Sequence, residues 1–463
     1  MIPLDGRSPQ PLYEQIYQYI KDEIRSGKRR AGERLPSTRM LANHLKISRC
    51  TTQMAYEQLL SEGYIESVPC KGYFIAGIEE LVGLDQEPAP GAVFSREEEK
   101  EDCQVDFSLR GLDLERFPFN TWRKITKNTL VDDNKEMFAA GDPQGEYGLR
   151  EAVGNYLHSA RGVHVRPEQI VIGAGSEYLW LLLAQILGRN RCIAMENTTY
   201  RQAFRVFSGV GMRVEPIAMD ANGISAQELE KSGADIAYVM PAHQFPTGIV
   251  MPVKRRQELL AWAGAGQERY LIEDDYDSEF RYKGKPIPSL QGMDPAGKVI
   301  YIGTFSKSIA PAIRVGYLVL PEKLLAVYRE KAGFYASTVS RIDQNILYQF
   351  MVQGHYERHL NRMRAIYKAK HDALLEGLKS LESQFEIRGE NAGLHVVLTH
   401  KGGRAEEELV EQAKRMGVRV YGISRSLIRP EPGRFTSTVL LGYGRLSPDE
   451  IRKGTKLLEQ AWL

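Results

Sequence analysis

The sequence predicts two joined folds: a winged helix-turn-helix, then an α/β domain on a mostly parallel sheet with a smaller C-terminal α+β subdomain. Three observations predict this. From Gln169 onward, short apolar runs alternate with helical stretches at the spacing of crossover units. Three short helical patterns and a hairpin signal occupy 1–76. Between the two the charge reverses: residues 1–76 hold 11 Lys+Arg against 8 Asp+Glu, and 77–104 hold 2 against 9. That second stretch, with Pro88, Pro90 and Glu97-Glu98-Glu99, is predicted to be an acidic linker. Residues 105–463 form the large domain, with its small subdomain at about 360–463.

The bulk numbers exclude more than they assign. A net charge of +2 names no partner, so nucleic acid would have to meet a local patch. The four cysteines form no CxxC pair, and no histidine cluster has zinc-ligand spacing, so no metal is expected. A reducing cytoplasm is expected. The opening MIPLDGRSPQPLYEQ lacks the apolar core of a signal peptide. No apolar run is long enough for a bilayer, and Tyr178–Gly188 reads as a buried helix.

Within 1–76, Pro11 suits a helix start, and Leu12, Ile16, Ile20 and Ile24 make one apolar face before Gly27. Ser37 can cap a second helix bearing Leu41 and Leu45. Residues Lys46 to Arg49 link it to a third, which Ser48 can cap and Gly63 stops. The runs Tyr64–Val68 and Tyr73–Ile75, joined through Pro69-Cys70-Lys71-Gly72, read as a hairpin wing. A helix-turn-helix presents the start of its recognition helix to the major groove, here Arg49, Thr51 and Gln53 behind the cap Ser48. Arg bridges guanine O6 and N7, and Gln reads adenine. Lys71 at the wing tip would meet phosphate or the minor groove. A three-helix protein-interaction module would have the same spacing. The wording is more specific. PLYEQIYQYIKDEIRSG, LPSTRMLANHLKISRCTTQMAYEQLLSEGYIES and KGYFI resemble the GntR-type winged helix. The resemblance implies double-stranded promoter DNA as partner, with contacts from Arg39, Arg49, Thr51 and Gln53 and from a wing tip at Lys71-Gly72.

In the large domain, strands are expected at Ile170–Ile172, Cys192–Met195, Ile236–Met240, Tyr270–Ile272, Val299–Ile302 and Val315–Leu320. Ligands on such sheets sit beyond the carboxyl ends of the strands. GAGSE, Gly173 to Glu177, ends a strand and opens a helix. It lacks both the dinucleotide fingerprint and a Walker A run, leaving a phosphate cradle of another kind or a plain turn. IEDDYDSEF ends the next motif strand in carboxylates, which could also hold Mg²⁺ or simply face solvent. In IGTFSKSIAPAIRVGY, Lys307 stands between Thr304 and Ser306 with Arg314 downstream. Hydroxyls and a guanidinium suit a phosphate, and a lysine amine condenses with an aldehyde.

Taken in order, these motifs resemble fold-type I pyridoxal 5'-phosphate enzymes of the class I/II aminotransferase kind, from about Val105 to Leu463. The resemblance implies Lys307 as the Schiff-base lysine and Arg314, Thr304, Ser306, Gly175, Ser176 and Glu177 around the phosphate. It implies Asp274 at the pyridine nitrogen, Tyr276 at the ring hydroxyl, Tyr200 stacked on the ring, and Phe245 or Gln244 at the motif position usually held by Asn, with Gln244 taken as a cofactor contact. QFPTG departs from the common NPTG, Ala140 stands where a partner-subunit Tyr reaches the phosphate, and Leu440 where a carboxylate-binding Arg is common. That last role passes by resemblance to Arg425, with Arg201 as a second candidate. The two halves in this order resemble MocR/GabR-type regulators. This implies a domain-swapped homodimer that senses a small amino-compound effector through the Lys307 imine. A competent aminotransferase with an appended DNA module is the alternative. A decarboxylase would leave the winged helix unexplained.

Overall fold

The periodic face of the first helix buries as its spacing requires: Ile16, Ile20 and Ile24 of α1 (Leu12–Arg25) all lie in a core. The computed structural model describes residues 2–77, 103–130, 135–284, 286–431 and 433–463. It divides into two units, Met1–Lys100 and Glu101–Leu463. The linker predicted at 77–104 lies almost wholly outside the described residues.

In the first unit, α2 (Thr38–Leu45) and α3 (Arg49–Ser61) follow α1. Ser37 Oγ accepts the Met40 amide at 3.2 Å, and Ser48 Oγ accepts that of Cys50 at 3.1 Å. The turn between the helices is shorter than expected, because Arg49 is already helical behind its cap. The buried Thr52 hydroxyl donates to Thr38 O at 2.9 Å, and Tyr56 OH to Pro36 O at 3.0 Å, fixing α3 against α2. The wing pairs β1 (Ile65–Val68) with β2 (Gly72–Ile75), in register from Ile65↔Ile75 to Val68↔Gly72. Its turn places Cys70 at φ 60° and Gly72 at φ 105°.

The second unit is built on a seven-stranded sheet. Its order is Ile170–Gly173, Gly316–Val319, Val299–Thr304, Tyr270–Asp275, Ile236–Val239, Cys192–Glu196, Arg213–Ile217. All neighbours run parallel except Gly316–Val319, which is antiparallel to both of its own. Six strands coincide with the expected apolar runs. The seventh was not expected, because RVEPI carries two charges and a proline, features tolerated at the sheet edge where it lies.

A smaller lobe holds a four-stranded antiparallel sheet, ordered Phe385–Arg388, His395–His400, Thr438–Gly442, Tyr421–Gly422. The helices His355–Leu378 and Pro448–Trp462 pack with it. Its membership reaches back in the chain. Val105–Asp106 pairs in parallel with Val418–Arg419, and Val105, Phe107 and Leu112 share a core with Leu374, Leu441 and Trp462. A segment at the start of the large domain thus belongs to the lobe expected at 360–463. No helix among the described residues is long and apolar enough to cross a membrane.

The caps give a direct test of the first unit. Ser37→Ala leaves the Met40 amide without its acceptor and should cost about 1 kcal/mol. Differential scanning calorimetry of the full chain should show the lower transition move down while that of the larger unit stays in place.

Candidate functional site

The acidic strand Tyr270–Asp275 sorts its carboxylates by the alternation of a β-strand. Glu273 accepts the amides of Leu290 and Gln291, both at 2.8 Å. Asp275 is paired with Arg161 at 2.7 Å and accepts the Tyr301 hydroxyl. Asp274 points the other way, into a cleft of about 360 Å³. The three side chains therefore share no centre for a cation. Among the described residues, no group of three or more His, Cys, Asp or Glu side chains could hold a metal ion.

Asp274 is buried and, among the described residues, has one hydrogen-bond partner, the Tyr238 hydroxyl that donates to it. Burial pushes its carboxyl up to about 7, the Tyr238 hydrogen bond works against that, and Asp275 and Asp277 add repulsion. No cation pairs with it among the described residues, so a protonated pyridine nitrogen would match it. Lys307 lies just past the Val299–Thr304 strand, and its Nζ donates to Leu109 O at 3.2 Å. Burial lowers its pKa, Asp277 opposes, and the Arg110 charge lowers it further. The amine is thereby favoured in the neutral form that attacks an aldehyde.

The phosphate side of the cleft is built from backbone as much as from side chains. Gly175 opens the Gly175–Leu187 helix at φ 81°, and a Cβ there would lie 2.5 Å from Arg314 Nη2. Only glycine lets the helix start approach that guanidinium. Ser176, Thr304, Ser306 and Arg314 line the same cleft. Ser306 Oγ is buried without a hydrogen-bond partner, and Thr304 Oγ1 accepts the Ser306 amide at 3.1 Å. An orphaned hydroxyl, a free helix start and a guanidinium fit a phosphate ester. Glu177 also sits there, tied to Arg314 at 2.6 Å, so that arginine is not wholly free. The residues present fit pyridoxal 5'-phosphate at both its ring and its phosphate.

Tyr200 and Tyr276 line the cleft, with Phe245 edge-on to the first at 5.6 Å between ring centroids. His243 Nδ1 lies 3.0 Å from both Tyr276 OH and Asp277 Oδ2. Gln244 is not brought into the cleft. Its Nε2 donates to Glu196 Oε2 at 3.0 Å and Thr198 O at 2.7 Å, while its Oε1 accepts the Thr247 amide at 3.1 Å. Its polar groups are spent inside the fold, and Phe245 lines the cleft instead. Leu440 is buried in the small lobe. Arg425 and Arg201 both reach the cleft, from different lobes. The Thr199 amide donates to Ser426 O at 3.0 Å, and Asn197 exchanges hydrogen bonds with Arg429, clasping those lobes beside the two arginines. Asp277, His395, Arg110 and Arg205 also line the cleft and were missed from sequence. Asp277 lies inside the motif already singled out, whereas Arg110 and Arg205 carried no signal.

On the first unit, Arg39, Ser48, Arg49, Gln53 and Lys71 are exposed, and Thr51 is half-buried. Arg49 heads α3, and Gln53 follows one turn later on the same face. Gln53 Nε2 donates to Glu57 Oε1 at 2.9 Å, which uses one of its two amide hydrogens and leaves Oε1 for another partner. Ser48 Oγ accepts the Cys50 amide, which leaves its hydroxyl hydrogen available to a phosphate.

Asp274 supplies a pH test. A carboxyl raised to about 7 in the fold costs stability that grows as pH rises from its unfolded value toward 7. Asp274→Asn should therefore stabilise the cofactor-free protein more at pH values above 7 than at acid pH. The same change should weaken cofactor retention. Thermal melts across pH and absorbance after dialysis read the two effects.

The comparisons agree with this geometry in both units. Residues 12–75 match the model for bacterial regulatory proteins of the gntR family, and residues 110–439 that for aminotransferase class I and II. The uncharacterized HTH-type transcriptional regulator YdeL of Bacillus subtilis is 41% identical over 98% of this chain and 97% of its own. The probable rhizopine catabolism regulatory protein MocR of Rhizobium meliloti is 28% identical over 100% and 96%. The multiple substrate aminotransferase from Thermococcus profundus superposes with a TM-score of 0.69 at 26% identity, over 78% of this chain and 92% of its own. Full-length likeness, and the order of a DNA reader before a pyridoxal phosphate fold, place the chain in the MocR-type family of HTH transcriptional regulators.

Proposed function

We propose that this regulator senses a small amino compound bearing an anionic group, and that occupancy of the cleft changes how it engages promoter DNA. The observation that carries the reading is the convergence of Lys307, Asp274 and Arg425 in one cleft, with Arg425 supplied by the small lobe. Pyridoxal phosphate, when bound, supplies an aldehyde that condenses with primary amines and a ring that withdraws electrons. Asp274 holds the proton at the pyridine nitrogen. Ser176, Ser306 and Arg314 hold the phosphate, and Tyr200 packs against the ring. The Tyr276 hydroxyl, set by His243, would serve the ring oxygen. Lys307, its amine favoured in the neutral form by burial, would hold the cofactor's aldehyde carbon.

Arg425 and Arg201 take the effector's anion across the clasp between lobes. An effector bridging Lys307 and Arg425 binds the closed arrangement better than the open one, and only that difference can shift the equilibrium. The active species is a domain-swapped homodimer in the cytoplasm, contacting DNA through Arg39, Ser48, Arg49, Thr51, Gln53 and the Lys71-Gly72 wing tip. The retention of Lys307, Asp274 and Tyr276 together favours a second reading, an aminotransferase with a DNA module attached. Sustained steady-state turnover with amino and keto acid pairs would displace the sensor reading.

Lys307→Ala should abolish the absorbance band that forms when pyridoxal phosphate is added; a normal band in that variant sinks the cofactor assignment. Arg49→Ala should weaken binding to the promoter by about 10- to 100-fold, the worth of a bidentate base contact. Affinity of the parent should fall steeply with salt. Gel shifts at several salt concentrations measure both, and salt-independent binding would count against the interface.

A further inference from the structure

The cleft holds more positive charge than one effector anion needs. Five arginines and Lys307 line it, against the three carboxylates Glu177, Asp274 and Asp277. Each carboxylate has a partner: Arg314 for Glu177, Tyr238 for Asp274 and His243 for Asp277. Arg110, Arg201, Arg205 and Arg425 form no ion pair and no side-chain hydrogen bond among the described residues. Arg201 goes further, with its Nε buried and unpartnered. Four guanidiniums gathered in one cleft repel each other until anions enter. The cofactor's phosphate, with a charge of about −2, offsets part of this surplus and leaves the rest.

These arginines fall into two places. Arg201 and Arg205 lie one turn apart on the Arg201–Gly209 helix, hence on one face. The Thr199–Ser426 hydrogen bond brings the segment of Arg425 to the start of that helix. Arg110 is elsewhere. It follows Leu109, whose carbonyl receives the Lys307 amine at 3.2 Å. The charge of Arg110 acts on both Lys307 and Glu177.

We propose that the effector is an α-amino acid with a second, distal acid group. Its α-carboxylate is taken by Arg110 beside Lys307, and its distal acid by the outer set Arg201, Arg205 and Arg425. This rests on the effector-sensing reading above and sharpens it. An α-amino acid with no distal acid engages only Arg110. An ω-amino acid, with its single anion far from the amine, engages only the outer set. A distal carboxylate and a distal phosphate are both served by guanidiniums.

The test uses the full chain loaded with pyridoxal phosphate and four probes: glutamate, its counterpart γ-aminobutyrate lacking the α-carboxylate, α-aminobutyrate lacking the distal acid, and O-phosphoserine. Cofactor absorbance and promoter affinity are both followed. One of the two diacids should half-saturate at a concentration about tenfold or more below either monoacid, one charged contact being worth roughly that factor. Arg110→Gln should bring the preferred diacid to the level of γ-aminobutyrate. Arg205→Gln should weaken the diacid and γ-aminobutyrate while sparing α-aminobutyrate. A monoacid that matches both diacids overturns the proposal. So does an Arg110→Gln protein that loses cofactor while keeping its ligand preference, because Arg110 then serves the phosphate. A cofactor band that forms normally but answers none of the four probes removes the effector-sensing reading, and this refinement with it.

Discussion

A carboxylate buried without a cation among the described residues governs the large unit. Asp274 lies next to the end of a fully buried strand, faces the cleft, and among the described residues has only a tyrosine hydroxyl for company. Leaving a charge so placed is expensive in any fold. The chain tolerates it because the strand alternation sends its neighbours Glu273 and Asp275 to the opposite side, where backbone amides and Arg161 satisfy them. The acidic strand end is thus two structures in one: a braced pair that holds the fold, and a lone acid that awaits a positive ring.

The sheet was legible in sequence because buried parallel strands read as unbroken apolar runs. Arg213–Ile217 escaped because an edge strand can carry charge and proline. The chemistry-bearing residues were legible where a motif fixed them to a strand end or a helix start, as with Lys307, Asp274 and Ser176. Gln244 shows the limit of that reasoning. Its motif is recognisable but leaves Gln244 and Phe245 as alternatives, and its amide is captured by Glu196, Thr198 and Thr247, a set of contacts no local spacing reveals. Arg110 and Arg205 were invisible for the opposite reason, since only the folded chain brings them to the cleft.

The two lobes of the large unit are stitched by segments distant in sequence. Residues 197–199 hydrogen-bond to 426–429 across the lobes, while within the small lobe the strand Val105–Asp106 lies beside Val418–Arg419. The cleft residues are distributed across these seams. Lys307 and Asp274 come from the sheet, Arg425 from the small lobe, and Leu109 from the returning N-terminal segment. A ligand that touches all of them reports on the spacing between lobes.

That returning segment has a further consequence. The strand Val105–Asp106 is followed three residues later by the Leu109 carbonyl, which accepts from the Lys307 amine. Drawing the amine away leaves that carbonyl without its donor, while Phe107 keeps its backbone bonds to Arg419 and Gly442. Chemistry at that amine is therefore felt first by a segment whose backbone is bonded into the small lobe.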